Sequence, residues 1–414
     1  MINNDQMVQI FYFFIILSKV NLAVYLMIHE REIKSSMRTY LGFIIGICSL
    51  IVSCGPPELA QIEPLEKSEQ RLQVNGHWIM EQDGQVMLNP QTSGLVKWRD
   101  GLLTLSDRSA HPSQRLRLRT ISKDHALLSG PDFPMMLSET LQASCFAAYI
   151  SDNPDLEALV VDPDDDNVFY VVTEDASYAD PMSDVCQQKY QNSGSTNHPT
   201  LLVRLELQAN NTALMTHIRP IQFTADMQIG NFPNDGVEAL AFGQGRTLYL
   251  GIEKDTNKQA RIFSLHMHSE FWQSDEFAVV TNFALTLPSF DSGNHPINGM
   301  DYYQTPDGRE FLLVAARNDE TLWVVDLSGK KETLILPVDF FAEIQTSSEG
   351  CENYEAMDNA SIEGVAVIDD TLWLINDPWK AVYLNNVQCV QNRAHYQMFA
   401  PLLFSVPIQA TWFD

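Results

Sequence analysis

One motif recurs five times along this chain, and it restricts the fold more than any other feature. Each copy is a pair of short apolar runs joined by a turn. The copies are "SGLVKWRDGLLTLSD" (93–107), "LEALVVDPDDDNVFYVVTE" (156–174), "VEALAFGQGRTLYLGIE" (237–253), "INGMDYYQTPDGREFLLVAAR" (297–317) and "IEGVAVIDDTLWLINDP" (362–378). Their opening positions, Ser93, Glu157, Glu238, Asn298 and Glu363, lie 64, 81, 60 and 65 residues apart. Long helical periodicity is missing, and the runs are short and bounded by turn residues, so they read as β-hairpins. A single hairpin cannot bury its own apolar faces. A recurring one must stack on its copies.

Each hairpin is followed by room for two more strands. In the fourth unit these read "TLWVVDLSG" and "KETLILPVD"; in the second, "LLVRLEL" and "ALMTHIRPIQF". Four strands per unit, repeated radially, give an all-β fold, a β-propeller of four-stranded blades. Five repeats are countable. A sixth is possible, in residues 71–92 or in the long second interval. A stacked solenoid is the structural alternative, and a β-sandwich does not explain the repeat.

The propeller geometry gives meaning to acids that would otherwise look misplaced. The first strand of a blade lines the central channel, and the second returns antiparallel beside it. The start of one and the end of the other therefore share a channel mouth. That pairs Glu363 with Asp377, Glu157 with Glu174, and Glu238 with Glu253, and adds Asp107 from the first unit. The fourth unit departs, with Asn298 and Arg317 in place of the acids. Carboxylates pointing inward together either take up protons or hold a cation. Ca2+ suits such a site, because it accepts several oxygens in loose geometry. Asn298 offers a carbonyl oxygen, and Arg317 neutralises part of the ring or binds an anion beside the metal. The structural alternative for each acid is a turn cap that accepts backbone N–H bonds. Trp379 follows "NDP" in a loop and is the best exposed aromatic candidate for a ligand mouth; Trp323 and Trp373, inside strands, read as core.

The net charge of −27 makes nucleic acid an unsuitable partner. The N-terminal region suggests a membrane instead. "LGFIIGICSLIVSC" (41–54) follows Met37 and Arg38, and its apolar stretch from Leu41 to Val52 is short for a membrane span. Its end resembles a bacterial lipobox, which implies cleavage before Cys54 and acylation of that residue. An ordinary signal peptide or membrane anchor is the alternative. Residues 1–36 form a doubtful extension, with Met37 the expected start of translation or, alternatively, a transmembrane helix in 1–36. Residues 37–53 read as the lipoprotein signal peptide, 54–75 as a tether with three prolines, and 76–414 as the propeller. Gly55 after the lipidated cysteine implies the outer membrane, facing periplasm or exterior, in a Gram-negative envelope. Four further cysteines, Cys145, Cys186, Cys351 and Cys389, are an even number for an oxidising compartment. Pairing between chain neighbours, Cys145–Cys186 and Cys351–Cys389, is the simplest of three connectivities, and the spacings fit no zinc pattern.

The motifs "DLEALVV", "GVEALAF" and "IEGVAVI", with "VVTED", "GIEKD" and "LINDP", resemble two related propeller families of the bacterial envelope. These are the SdiA-regulated family and the phytase-like family, named for an esterase-like activity of phytase. The resemblance covers about residues 90–380. It implies a calcium-associated propeller, often secreted or lipid-anchored. Phosphoester hydrolysis is implied by the second name alone, and fold does not transfer activity. The expectation is therefore a lipid-anchored envelope propeller that binds a small molecule or protein at a calcium-holding mouth, with metal-dependent phosphoester hydrolysis as the alternative. "VDPDDDN" (161–167) lacks the glycine and distal glutamate of an EF-hand and reads as a turn. His266 and His268 read as a solvated strand face. No nucleophile elbow, zincin helix or phosphate loop is present.

Overall fold

A computed structural model describes residues 71–174, 179–191, 199–229, 236–283 and 285–414. The lipobox, Cys54 and the two apolar N-terminal runs lie outside the described residues. Among the described residues, no helix is long and apolar enough to cross a membrane.

The five sequence repeats become five blades. Blade 1 is Thr92–Trp98, Gly101–Ser106, Arg117–Ser122 and Phe133–Leu137. Blade 2 is Leu156–Asp162, Asp165–Thr173, Leu201–Leu207 and Ala213–Gln222. Blade 3 is Val237–Phe242, Thr247–Ile252, Arg261–His266 and Thr281–Asn282. Blade 4 is Ile297–Gln304, Glu310–Ala316, Thr321–Asp326 and Leu334–Glu343. Blade 5 takes Ile362–Ile368, Thr371–Asn376 and Leu402–Pro407 from the end of the chain and Leu72–Trp78 from its beginning. Each inner strand lies beside the inner strands of both neighbouring blades, and the ring closes from blade 5 to blade 1.

The N-terminal strand corrects two expectations. Residues 71–92 hold no sixth blade, and the propeller begins at Leu72, inside the stretch assigned to the tether. Leu72–Trp78 pairs antiparallel with Leu402–Pro407, setting Gly76 opposite Phe404. It also pairs in parallel with the outer strand of blade 4, from Leu72 opposite Val338 to Gly76 opposite Ala342. A similar parallel pairing joins the outer strands of blades 1 and 2. These outer contacts fuse blades 4 and 5 into a nine-stranded sheet and blades 1 and 2 into a ten-stranded sheet, and leave blade 3 as a four-stranded sheet. The result is two large, nearly closed sheets, whose blades are distinct only towards the axis, and blade 3 as a sheet of its own.

The core follows from strand periodicity. Successive side chains point to opposite faces, so one strand feeds two inter-blade layers. Leu248 and Leu250 pack with Ala158, Val160 and Tyr170 of blade 2. Tyr249, between them, packs with Met300, Leu312 and Val314 of blade 4. Such layers lie between every pair of adjacent blades: blades 1 and 2 around Leu103 and Phe169, blades 4 and 5 around Phe311 and Phe404, and blades 5 and 1 around Leu102 and Ile375. The inner strands are buried on both faces, which is why they read as near-continuous apolar runs.

Two disulfides form, with the simplest pairing. Cys145–Cys186 and Cys351–Cys389 have Cα separations of 5.7 and 5.9 Å, ordinary for such bridges. They point to an extracytoplasmic, oxidising compartment.

Candidate functional site

All five hairpins share one irregularity. The pairing register shifts between Thr92 and Gly94, Leu156 and Ala158, Val237 and Ala239, Ile297 and Gly299, and Ile362 and Gly364. The residue skipped in each case is Ser93, Glu157, Glu238, Asn298 or Glu363, the five positions at which the sequence repeats open. A β-bulge re-aims a side chain and is favoured next to functional sites.

The residue after each bulge is Gly or Ala because the inner strands approach closely there. A Cβ on Gly364 would lie 2.6 Å from the Leu95 Cβ and 2.8 Å from its backbone nitrogen. A Cβ on Gly299 would lie 2.8 Å from the Glu363 carbonyl oxygen. The acid-small pattern is thus a steric rule for packing five strands around a narrow axis.

The second acid of each hairpin is fixed by one more backbone bond. The N–H of Asp107, Glu174, Glu253 and Asp377 donates to the carbonyl of Gln91, Asp155, Gly236 and Ser361 at 3.0, 2.9, 3.1 and 2.8 Å. Both ends of the hairpin therefore meet at one channel mouth. A cavity of about 430 Å³ opens there. Asp107, Glu157, Glu174, Glu238, Glu253, Glu363, Asp377, Arg317 and Trp379 all line it. Asn298 does not: it is fully buried on the inner strand of blade 4, and neither atom of its amide has a hydrogen-bond partner among the described residues.

The carboxylates do not form one uniform ring. Oxygens of Asp155, Glu157 and Glu174 come within 4.8 Å of one another, as do those of Glu174, Glu238 and Glu253. Glu174 belongs to both groups, which lie on blades 2 and 3. Glu363, Asp377 and Asp107 join neither. Arg317 forms an ion pair with Glu363. Asp107 spends its oxygens on the turn after it, accepting from the N–H of Ser109 at 2.6 Å and of Ala110 at 3.0 Å and from the Ser109 hydroxyl at 3.1 Å. That is the turn-capping role. Glu253 accepts from the Asn294 amide at 3.0 Å and lies 3.7 Å from the Lys254 ammonium. Glu174 accepts the N–H of Gly236 at 3.2 Å.

Asp155 is a site residue that the repeat pattern passes over. Its carboxylate takes the Arg108 guanidinium at 2.6 Å. It stands two residues before Glu157, and that spacing places both on one face of an extended segment; "DLE" carries the signal. Gln91, Asn294 and Asn318 at the rim had no such signal. Lys254 lines the cavity, whereas the Lys380 ammonium bonds the Ser109 carbonyl at 2.5 Å. Trp379 is 41 % exposed, with the Arg317 guanidinium 5.9 Å from its ring centre. Trp323 is fully buried and Trp373 packs against the core. "VDPDDDN" is the turn of the blade 2 hairpin, and His266 and His268 are exposed.

Electrostatics explain the strain of the site. Eight carboxylate residues line the cavity against Arg108, Lys254 and Arg317. Burial and mutual repulsion favour the protonated forms. Burial, then Glu238 and Asp155, push Glu157 well above the carboxylate range. Burial, then Glu174, Glu253 and Glu363, do the same to Glu238, and burial with Glu363 and Asp107 to Asp377. Glu174 is raised to about 8 by burial and Asp155. Glu363 reaches about 7, since Arg317 offsets part of its burial. Asp107 rises to about 6, through burial and Asp155. Among the inner-strand acids, Glu238 acts on Glu157 and Glu363 acts on Glu238.

No family model matches this chain, and no curated protein matches it in sequence. Some solved structures show a loose likeness to it. The major Malassezia sympodialis allergen Mala s 1 is 8% identical, with a TM-score of 0.42, covering 77% of this chain and 94% of its own. A putative exo-β-1,3-galactanase from Bifidobacterium bifidum s17 is 11% identical, with a TM-score of 0.41, covering 81% of this chain and 94% of its own. The PQQ-bound aldose sugar dehydrogenase of Streptomyces coelicolor is 11% identical, with a TM-score of 0.35, covering 77% and 94%. These are propeller-type folds. The propeller assignment of this chain stands on its own strand pairing.

Proposed function

We propose that this protein is a ligand-binding propeller of the cell envelope whose channel mouth holds a calcium ion. The observation that carries the reading is the pair of overlapping carboxylate groups on blades 2 and 3, buried and joined through Glu174. Hard oxygen donors in loose geometry fit Ca2+, and a divalent ion removes the repulsion that otherwise forces protons onto the acids. Glu157, Glu174, Glu238 and Glu253 would hold it, with Asp155 beside them. Glu363 completes the inner-strand set from the Arg317 side, and Asn298 carries an unpartnered carbonyl oxygen at the equivalent bulge. Acylation of Cys54 would tie the domain to the outer membrane, in keeping with the SdiA-regulated and phytase-like resemblance. Mass spectrometry of the membrane-extracted protein tests this: a diacylglyceryl mass on a chain beginning at Cys54 supports the anchor, and an unmodified Cys54 rejects it.

The binding reading is tested by melting the purified protein with calcium and with chelator. Calcium should raise the melting temperature, and Glu238→Gln should abolish that shift. A second reading, metal-dependent phosphoester hydrolysis, is favoured by Arg317 and Lys254 in the same cavity. It requires chelator-sensitive release of phosphate from p-nitrophenyl phosphate, lost in Glu238→Gln. Calcium-dependent melting without turnover supports the binding module alone.

A further inference from the structure

The mouth has a second side. Asp377 and Asp107 come from blades 5 and 1 and belong to neither carboxylate group of blades 2 and 3. One divalent ion there would still leave three of the eight carboxylates without a compensating charge. Asp377 lines the cavity and is only 6 % exposed, and its buried Oδ1 has no hydrogen-bond partner among the described residues. Such an acceptor is costly to bury unless something donates to it. The Oδ1 of Asn294, a residue that lines the same cavity, also has no partner among the described residues. The nearby cations bond elsewhere, Arg317 to Glu363 and Lys380 to the Ser109 carbonyl, though both attract Asp377 and the Arg317 guanidinium lies 5.9 Å from the Trp379 ring centre.

A second metal ion is a poor fit on this side. Calcium takes six to eight oxygens, yet no group of three carboxylates converges here among the described residues. Asp107 is already committed to Ser109 and Ala110. A buried carboxylate with an unpartnered oxygen, beside a half-exposed indole, has the chemistry for an organic ammonium. The charged N–H groups donate to the carboxylate, and the cation rests against the ring. The cavity is large enough for a small ligand.

We infer that Asp377 and Trp379 form a subsite for a small molecule carrying a primary ammonium, opposite the calcium position. The inference deepens the binding-module reading but does not need the ion, whose absence would only increase the negative excess.

Putrescine is a suitable probe. Calorimetry on the calcium-loaded full chain should show saturable binding. Asp377→Asn should weaken it at least tenfold, and Trp379→Ala should weaken it several-fold. Trp379 lies in a surface loop, so its variant guards against a folding defect in the first. Terbium luminescence, reading the metal site separately, should change less than twofold in both. No putrescine binding at millimolar concentration, or equal binding by both variants, overturns the subsite. A matching loss of terbium affinity in Asp377→Asn also overturns it, by making Asp377 a metal ligand. Putrescine binding that depends on Asp377 in a protein that takes no terbium keeps the subsite and removes the calcium reading.

Discussion

Glu238 concentrates the energetics of the mouth. It is buried among Glu174, Glu253 and Glu363, so its charge is opposed by both desolvation and repulsion. Glu238→Gln should therefore raise the melting temperature of the metal-free protein by a few degrees while removing its response to calcium; thermal melts with and without chelator read both effects. The pH dependence has a definite sign. Glu174, Glu363 and Asp107 are raised to about 8, 7 and 6 in the folded protein. Acids raised on folding contribute stability that is full below their unfolded values and is lost as pH rises through the folded ones. Melting temperature in chelator should thus fall from about pH 5 to about pH 8.5, and calcium should flatten the fall. A chelated protein that grows more stable over that range would contradict the assignment. The acids of the mouth were legible because they recur in register with the hairpins. Asp155 was not, because it lies just outside the repeated unit, and the partition of Glu363 to Arg317 depends on side-chain reach across blades.

Among the elements, the inner-strand hairpin carries most of the design. Its existence was legible from alternating and apolar runs, but its bulge was not, because register belongs to a pair of strands and not to one sequence. The Gly or Ala after each acid was part of the motif, and only the close approach of neighbouring strands gives its reason. Gly364→Val should destabilise the protein by roughly 3 kcal/mol or more, since the new side chain meets Ile375 and Leu95 in a packed layer. Chemical denaturation measures this, with Gly84→Ala as a contrast. Gly84 has open space around it, so only its left-handed backbone (φ 83°) should cost anything there. The disulfides act on the longer connections. Cys145–Cys186 spans 41 residues, and its removal by Cys145→Ala/Cys186→Ala should cost about 2–4 kcal/mol.

For the whole molecule, closure is the governing problem. A ring of blades needs its last blade completed, and here the first strand of the domain does it. Residues 72–75 read as tether because their partners, Val338 and its neighbours in blade 4, lie hundreds of residues away. Trp78 locks the strand in place. Its indole donates to the Glu343 carbonyl at 3.0 Å, its backbone N–H donates to the Glu343 carboxylate at 2.9 Å, and its ring packs on Tyr396 at 5.1 Å. Trp78→Ala should cost about 3–5 kcal/mol and loosen blades 4 and 5 together, which hydrogen exchange would show as joint loss of protection in Leu334–Glu343 and Leu402–Pro407. Protection lost in only one of these strands would contradict the shared closure. With the ring closed, the five bulges are held at one radius, and the buried acids are held where a cation would satisfy them. The most direct measurement is an anomalous difference map from crystals grown in calcium. A peak about 2.3–2.6 Å from oxygens of Glu174 and its neighbours on blades 2 and 3 is expected; calcium-saturated crystals with no peak inside the mouth would contradict the cation site.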